Sequence, residues 1–313
     1  MQIDDIILTN SLGKGDFAEI FLTQKEGSKE FYATKRLDRV FFEKPENIKR
    51  LISEISLLKN IHHPNIVRLI DLKKTKSHIY IVMEYCNGRD LSECLEKYKA
   101  AYHRPFPEKI VQYIMRQIVE GINFIHSNKI IHRDLKLANI LVNFSSENDK
   151  KSLNMMKTVV KIADFGFAKT LKSNLAYTVL GTPVYMEPQL LTNMIEKTPN
   201  MTGYDKKADI WSLGIVCYEM LVGHMPFSGD RMMQLFYKVK QGTYSLPIDV
   251  SEEVFSFING MLQKDPNKRL SVSQLLKHDF LIKNVKQFKH IDVRKIPGIS
   301  LEGEIINVNS GKD

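Results

Sequence analysis

The chain has 313 residues, of which 43% are hydrophobic and 26% charged. That balance belongs to a globular chain with room for two domains, and it excludes a disordered tail protein, a collagen and a disulfide mini-scaffold. The formal net charge of +9 suits an anionic ligand such as a nucleotide, an acidic partner or an anionic membrane surface, and equally a lysine-rich solvated face.

The first 85 or so residues read mostly as strands. Ala18, Ile20 and Leu22 alternate with Glu19, Phe21 and Thr23, the period of a strand. Phe31 to Arg36 and Ile79 to Met83 are short β-branched or aromatic runs. One helix interrupts them, opened by Pro45, with Ile48, Leu51, Ile52, Ile55 and Leu58 at helical spacing. Asn87-Gly88 is a turn signal, and the boundary between two lobes is expected near it. Beyond it the pattern turns helical. From Pro107, the residues Val111, Ile114, Met115, Ile118, Ile122 and Ile125 form one apolar stripe. Asp209 to Val222 is apolar almost throughout and predicts a buried helix. Ser145 to Lys157 and Thr192 to Gly203 are polar stretches that read as inserted, mobile loops. Past Leu281 the tail is polar and basic without a clear period.

No apolar run approaches the roughly 18 residues of a membrane span, and Met1 to Asp5 carries two acids with no basic stretch, so neither a transmembrane segment nor a secretory signal is expected. Cys86, Cys94 and Cys217 are scattered. They match no disulfide framework and no metal-ligand spacing, which points to a reduced, cytoplasmic chain.

Several runs carry chemistry. Gly13-Lys14-Gly15-Asp16-Phe17-Ala18-Glu19-Ile20 lies between two strand-like segments. Its glycines allow close approach to phosphates, although an ordinary hairpin turn accounts for them as well. The third glycine position is Ala18 and no helix follows, which argues against a dinucleotide fold. Lys35 sits on a strand, where most lysines are simply solvated. Glu54, 19 positions later, falls on the apolar face of the predicted helix, where an acid needs a partner; Lys35 is the candidate. His132-Arg133-Asp134-Leu135-Lys136-Leu137-Ala138-Asn139 follows the striped helix. A loop of that length aims Asp134 and Asn139 at one place. Asp134 could take a proton from an attacking hydroxyl, and an asparagine oxygen suits Mg²⁺. Asp164-Phe165-Gly166 adds a second hard oxygen ligand and a glycine pivot.

In this order and spacing the runs resemble the signature set of the protein kinases, over about residues 6 to 281. Gly181-Thr182-Pro183 and Tyr185-Met186 resemble the segment that seats the acceptor residue, Asp209-Ile210-Trp211 the aspartate that braces the catalytic loop, and Arg269 the late structural arginine. Lys136 and Thr182 are similar to the serine/threonine class. Tyr85-Cys86-Asn87-Gly88, the run Lys161 to Lys169 and the polar insertion before it are similar to the autophagy-initiating kinases. Parts of these are shared with calcium/calmodulin-type and polo-like kinases.

The resemblance implies an α+β, two-lobed fold: a small β-rich N-lobe with one helix over about residues 6–86, a larger, mainly helical C-lobe over about 87–281, and a basic tail over 282–313. It implies ATP in the cleft, with the backbones of Glu84 and Cys86 holding adenine, Met83 as gatekeeper, and Leu12, Ile20, Ala33 and Leu141 sandwiching the base. Any one of these apolar residues could equally be plain core. Asp90 would reach the ribose. Amides of the Gly13 and Gly15 loop, Lys35 (clamped by Glu54), and Mg²⁺ on Asn139 and Asp164 would hold the phosphates. Asp134 would orient the acceptor hydroxyl, with Lys136 steadying the γ-phosphate. Leu58, Leu69, His132 and Phe165 match the family's apolar column, which makes His132 structural. Protein substrates follow as partners, with Thr178 as the site for an upstream kinase or for autophosphorylation and Arg133 as the partner of its phosphate.

Two other function classes remain. A pseudokinase scaffold would be favoured by loss of Lys35, Asp134, Asn139 or Asp164, all of which are present. A non-catalytic basic module would need basic residues clustered among aromatics; here the lysines are spread along the chain, and no nucleic acid partner is expected. One position departs from the family. Its Ala-Pro-Glu reads Glu187-Pro188-Gln189, which leaves Arg269 facing a neutral amide. Either Glu187 replaces the missing counter-ion, or the C-lobe is weakened; the second is expected here, so that Gln189→Glu should raise the melting temperature by a few degrees.

Overall fold

The computed structural model describes residues 2–14, 18–38, 55, 59, 61–164, 183–196, 205–229, 231–246, 249–287, 290–292 and 300–301. Two compact units emerge, one drawn from Met1–Leu91 and Ile140–Thr178, the other from Ser92–Asn139 and Val179–Asp313.

The first unit is built on a six-stranded sheet: β1 (Gln2–Ile3), β2 (Ile6–Lys14), β3 (Ala18–Lys25), β4 (Phe31–Asp38), β5 (Leu69–Lys74) and β6 (His78–Glu84). The strands lie in the order β1-β2-β3-β4-β6-β5, and every pairing is antiparallel. Alternation along a strand sends successive side chains to opposite faces. Tyr80 and Val82 therefore join Ile3, Ile6 and Leu8 in one cluster, while Ile79 and Ile81 are buried in the other direction along β6. The alternation of Ala18, Ile20 and Leu22 does make a strand, yet not a buried face. All three are only partly covered, and the buried residue of β3 is Thr23, whose hydroxyl meets that of Thr34 at 2.9 Å. Of the helix expected from Pro45 to Leu58, only Ile55 lies within the described residues; it is helical and fully buried. A second hairpin, β7 (Ile140–Phe144) with β8 (Thr158–Ile162), completes this unit.

The second unit is mainly helical. Helix α1 is Leu91–Tyr102, and α2 is Glu108–Ser127 with Pro107 at its N-cap. All six stripe residues of α2 are fully buried. Helix α3 is Pro188–Glu196, and α4, Lys206–Val222, is buried almost all round, as its unbroken apolar sequence demands. Its end is set by Gly223 at φ 87°, a left-handed cap open to glycine at little cost. Helices α5 (Met232–Gln241) and α6 (Glu252–Met261) follow, then short helices to Ile282. No helix among the described residues is long and apolar enough to cross a membrane.

Three segments differ from their reading as loops or patternless tail. Of the stretch expected as a loop from Thr192, Thr192 to Glu196 is the last part of α3. Ser145 to Lys157 contains a short helix, Glu147–Lys151, whose N-cap Ser146 accepts from the Asp149 amide. Asn154 bonds the Asp149 carboxylate at 3.0 Å, and Met155 is buried. In the tail, His290–Asp292 pairs antiparallel with Asp249–Ser251, and Ser300–Leu301 pairs in parallel with Ser245–Leu246. Such two- and three-residue strands are too short to leave a period.

Candidate active site

The first unit gathers one set of predicted residues around β3, β4, β6 and the β7–β8 hairpin. Lys35 stands opposite Ile20 on β3 and Ile81 on β6. Its ammonium donates to the Asp164 carboxylate, with 17% and 44% of the two side chains exposed. Asp164 has φ 59°, a left-handed conformation uncommon outside glycine. It is carried there by β8, which is tied to the segment before β5. Asn65 donates to the Val160 carbonyl at 3.0 Å and accepts from the Ile162 amide at 2.9 Å, and Val67 donates to the Ile162 carbonyl at 2.9 Å. Glu54, expected as the partner of Lys35, lies outside the described residues, as do Gly15, Leu58, Phe165, Thr178, Gly181 and Thr182.

Leu12, Ile20 and Leu141 are half-buried, whereas Ala33 is buried, opposite Leu22 and Met83. Gly13 pairs with Ile20 across β2 and β3. After β6 the chain is held to β7 by a series of polar bonds. Asn87 accepts from the Phe144 amide at 2.8 Å and donates to the Phe144 carbonyl at 3.1 Å. Gly88 donates to Val142 O at 2.8 Å; a Cβ there would sit 2.6 Å from that oxygen, so glycine is required. Arg89 reaches the Leu12 carbonyl at 2.8 Å, and Asp90 bridges Leu141. Cys86 is buried, and its thiol is pushed up to about 12 by that burial and then by the Glu84 charge. It stays a neutral thiol at pH 7.

The second unit holds the other set. Asp209, near the start of α4, is 1% exposed. Its carboxylate accepts the amides of His132 and Arg133, each at 2.9 Å, and lies 2.8 Å from His126 Nε2. Arg133 takes φ 70°, and the buried carboxylate holds it there. His132 is fully buried and its Nδ1 accepts the Asp134 amide at 3.3 Å. That turn presents Asp134, which Asn139 Nδ2 approaches at 2.7 Å on its carbonyl and 3.1 Å on Oδ2; Lys136 Nζ lies 3.3 Å from Oδ2. Both Nδ2 bonds of Asn139 go to Asp134, which leaves its amide oxygen as the group able to ligate a cation.

Tyr185 is seated in the same unit. Its hydroxyl donates to Glu219, and its carbonyl accepts from Ser212 at 2.9 Å. Burial raises the Tyr185 hydroxyl well above its usual range, with the Glu219 charge adding to it. Burial likewise raises Glu219. Arg269, 2% exposed, donates to Glu187, to Gln189 Oε1 at 3.1 Å and to Gln263 O at 2.7 Å, and lies 5.1 Å over the Trp211 ring. Glu187 is thus the counter-ion, and the expectation of a C-lobe weakened at Gln189 is corrected. Burial lowers the Arg269 pKa, and Glu187 opposes that shift.

The protein kinase domain family profile matches residues 7–281. The chain belongs to the protein kinase family. It is similar to serine/threonine-protein kinase ULK3 of Xenopus laevis, 33% identical over 90% of this chain and 56% of the relative. It is also similar to serine/threonine-protein kinase PLK4 of Danio rerio, 32% identical over 90% of this chain and 27% of the relative. This kinase chain therefore spans about a quarter to somewhat over half the length of those two curated relatives. Among solved structures, a crystal structure of Rad53 1-466 in complex with AMP-PNP aligns with a TM-score of 0.69 at 30% identity, covering 89% of this chain and 66% of that one. The α+β kinase fold, with its β-rich and helical parts, is the architecture described above.

Of the residues expected in the site, Asp134, Lys136 and Asn139 are brought together in the second unit, and Lys35 and Asp164 in the first. Sequence reasoning passed over Asn65, Arg89, Glu219 and Ser212, and took Asn87 only as a turn. The signal for Asn87 was the Asn-Gly pair itself, since an asparagine side chain mimics a strand's donor and acceptor.

Proposed function

We propose that the chain is a catalytically active serine/threonine protein kinase that transfers the γ-phosphoryl group of ATP to protein serine and threonine hydroxyls, with Mg²⁺ as its cation. The observation that carries this reading is the Asp134 carboxylate, aimed by Asn139 and flanked by Lys136, on a turn whose backbone is held by buried Asp209. Among the described residues no three His, Cys, Asp or Glu side chains converge. In this reading Asp164 offers one carboxylate and Asn139 one amide oxygen, hard donors of the kind that suits a cation taking its remaining ligands from water and nucleotide phosphates, as Mg²⁺ does. When bound, Mg²⁺ neutralises charge on the phosphates.

The residues of the chain divide the remaining work. The backbones of Glu84 and Cys86 hold the adenine edge; Leu12, Ile20, Ala33 and Leu141 cover its faces, and Asp90 binds the ribose. Lys35 binds phosphate oxygens together with the glycine-loop amides at Gly13 and Gly15, and Glu54 orients Lys35. Asp134 accepts the proton of the incoming hydroxyl as the new bond from its oxygen to the γ-phosphorus forms and the β,γ-bridging bond breaks, releasing ADP. Lys136 offsets charge on the group in transit. Catalysis by such groups is positioning and electrostatic stabilisation.

We read the signalling role as similar to that of the autophagy-initiating kinases, on the strength of Tyr85-Cys86-Asn87-Gly88, the run from Lys161 and the similarity to ULK3. Protein substrates, control through Thr178 and a cytoplasmic location belong to the same reading. Incubation with Mg-ATP and a generic basic protein, followed by phosphoamino-acid analysis, tests the activity. Phosphoserine or phosphothreonine supports the reading. Nucleotide binding without transfer would favour a scaffold, and neither would favour a basic docking module. A peptide array separates an autophagy-type specificity from a polo-like one.

A further inference from the structure

Lys161 belongs to a motif, but none of the roles above uses it. It lies on β8 opposite Leu141, three positions before Asp164, and its side chain is 14% exposed. Its ammonium bonds the Pro64 carbonyl at 2.9 Å and lies 3.1 Å from Glu84 Oε2. Glu84 Oε1 accepts the Arg68 amide at 2.6 Å, and the Glu84 amide donates to the Arg68 carbonyl at 3.0 Å. Side chain and backbone of Glu84 are thus both fixed, at the point where β6 ends and the chain turns towards Cys86.

An ion pair with this little exposure to solvent is screened far less than a surface pair. The lysine charge is also what offsets a carboxylate that would otherwise be half-buried alone. With Lys161 removed, Glu84 has reason to rotate towards water. That rotation would release the Arg68 amide and loosen the strand end.

We infer that Lys161 is a positioning residue for the nucleotide: it holds the Glu84 carboxylate, and thereby aims the Glu84 carbonyl and the Cys86 amide at the adenine edge. The inference rests on the reading of the chain as an ATP-dependent kinase. It assigns Lys161 no contact with ATP and no part in the transfer step. Its loss should therefore weaken nucleotide affinity and leave turnover at saturating nucleotide alone.

The experiment measures the dissociation constant of a fluorescent ATP analogue with Mg²⁺, and KM and kcat for ATP, well below the melting temperature of each variant. In Lys161→Met the dissociation constant and KM should rise roughly tenfold, the scale typical of supporting partners, with kcat within about twofold. Glu84→Gln should show the same pattern, and the double variant should be no worse than the poorer single one, because both act through one contact. Lys161→Arg, which keeps the charge and can still bond Glu84, should recover most of the affinity. Unchanged affinity in Lys161→Met, or additive losses in the double variant, would overturn the inference while leaving the kinase reading intact. Should Lys161→Met fail to fold, Glu84→Gln against wild type decides by the same criterion. No nucleotide binding by wild-type protein would overturn both.

Discussion

The residues proposed for catalysis are held by opposite kinds of interaction in the two units. In the helical unit, the Asp134 turn hangs on one buried carboxylate, Asp209, through backbone amides at 2.9 Å. In the β-rich unit, Lys35 and Asp164 meet in an ion pair that is 17% and 44% exposed. Buried bonds to a charge are strong and costly to lose, whereas an exposed ion pair contributes little to stability and its partners exchange easily. The difference teaches which groups are fixed scaffold and which are free to trade partners. Asp134 is presented ready-made. In the proposed function, Lys35 would pass from Asp164 to phosphate oxygens at small cost.

This contrast breaks if Asp209 and Lys35 behave alike on substitution. Both Asp209→Ala and Lys35→Met should cut phosphoryl transfer by at least about 100-fold. Only Asp209→Ala should also destabilise the fold, by on the order of 3 kcal/mol for the orphaned amides, seen as a melting temperature lower by about 6–12 °C. Lys35→Met should move the melting temperature by less than about 4 °C, since its pair is worth no more than about 1 kcal/mol. A large loss of stability in Lys35→Met would contradict the comparison.

The Arg269 site sharpens it within one unit. Glu187→Ala strands a buried guanidinium and should cost about 3 kcal/mol in chemical denaturation. Gln189→Glu adds a second carboxylate beside Glu187 and should leave the midpoint unchanged or slightly lower. A rise in that variant would restore the expectation drawn from Gln189 alone.

Much of this was legible in the sequence, and the reasons are physical. The stripe of α2 and the unbroken apolar run of α4 are one-dimensional patterns that burial must satisfy, so both helices followed directly. The clustering of Asp134, Lys136 and Asn139 was readable because the three are close in sequence and bond each other. What escaped was long-range polar pairing. Asn65 bonds a carbonyl 95 positions away and Asn87 one 57 away, and no periodicity reports such a contact. The Ser145 to Lys157 excursion was misread for a related reason: its order comes from local bonds of Ser146, Asp149 and Asn154, which look like loop composition. Glu187 is the alternative to the expected weakening at Gln189, and only its buried contact with Arg269, 82 positions away, decides for it.

The smallest expected effect concerns pH. Burial holds His278 below its usual pKa, opposed by Asp279 and Glu253 and reinforced by Lys283. A histidine whose folded pKa is depressed binds fewer protons folded than unfolded. Its contribution is intact above the ordinary histidine range and declines as pH falls through it towards the folded value. Melting temperatures from about pH 7.5 to about pH 5.5 should therefore fall less in His278→Gln than in wild type. Equal slopes would show that His278 is not a source of the acid sensitivity.

The central claim is that Asp134 performs the transfer on a prebuilt turn. Asp134→Asn keeps the shape of the side chain and removes its ability to take a proton. Nucleotide affinity and phosphoryl transfer should be measured on the same preparation of this variant and of wild type, with Mg-ATP and a basic protein substrate. The account predicts an affinity within about twofold of wild type and a rate lower by at least about 100-fold. Turnover near the wild-type rate in Asp134→Asn, or no transfer by wild-type protein that binds Mg-ATP, would contradict it.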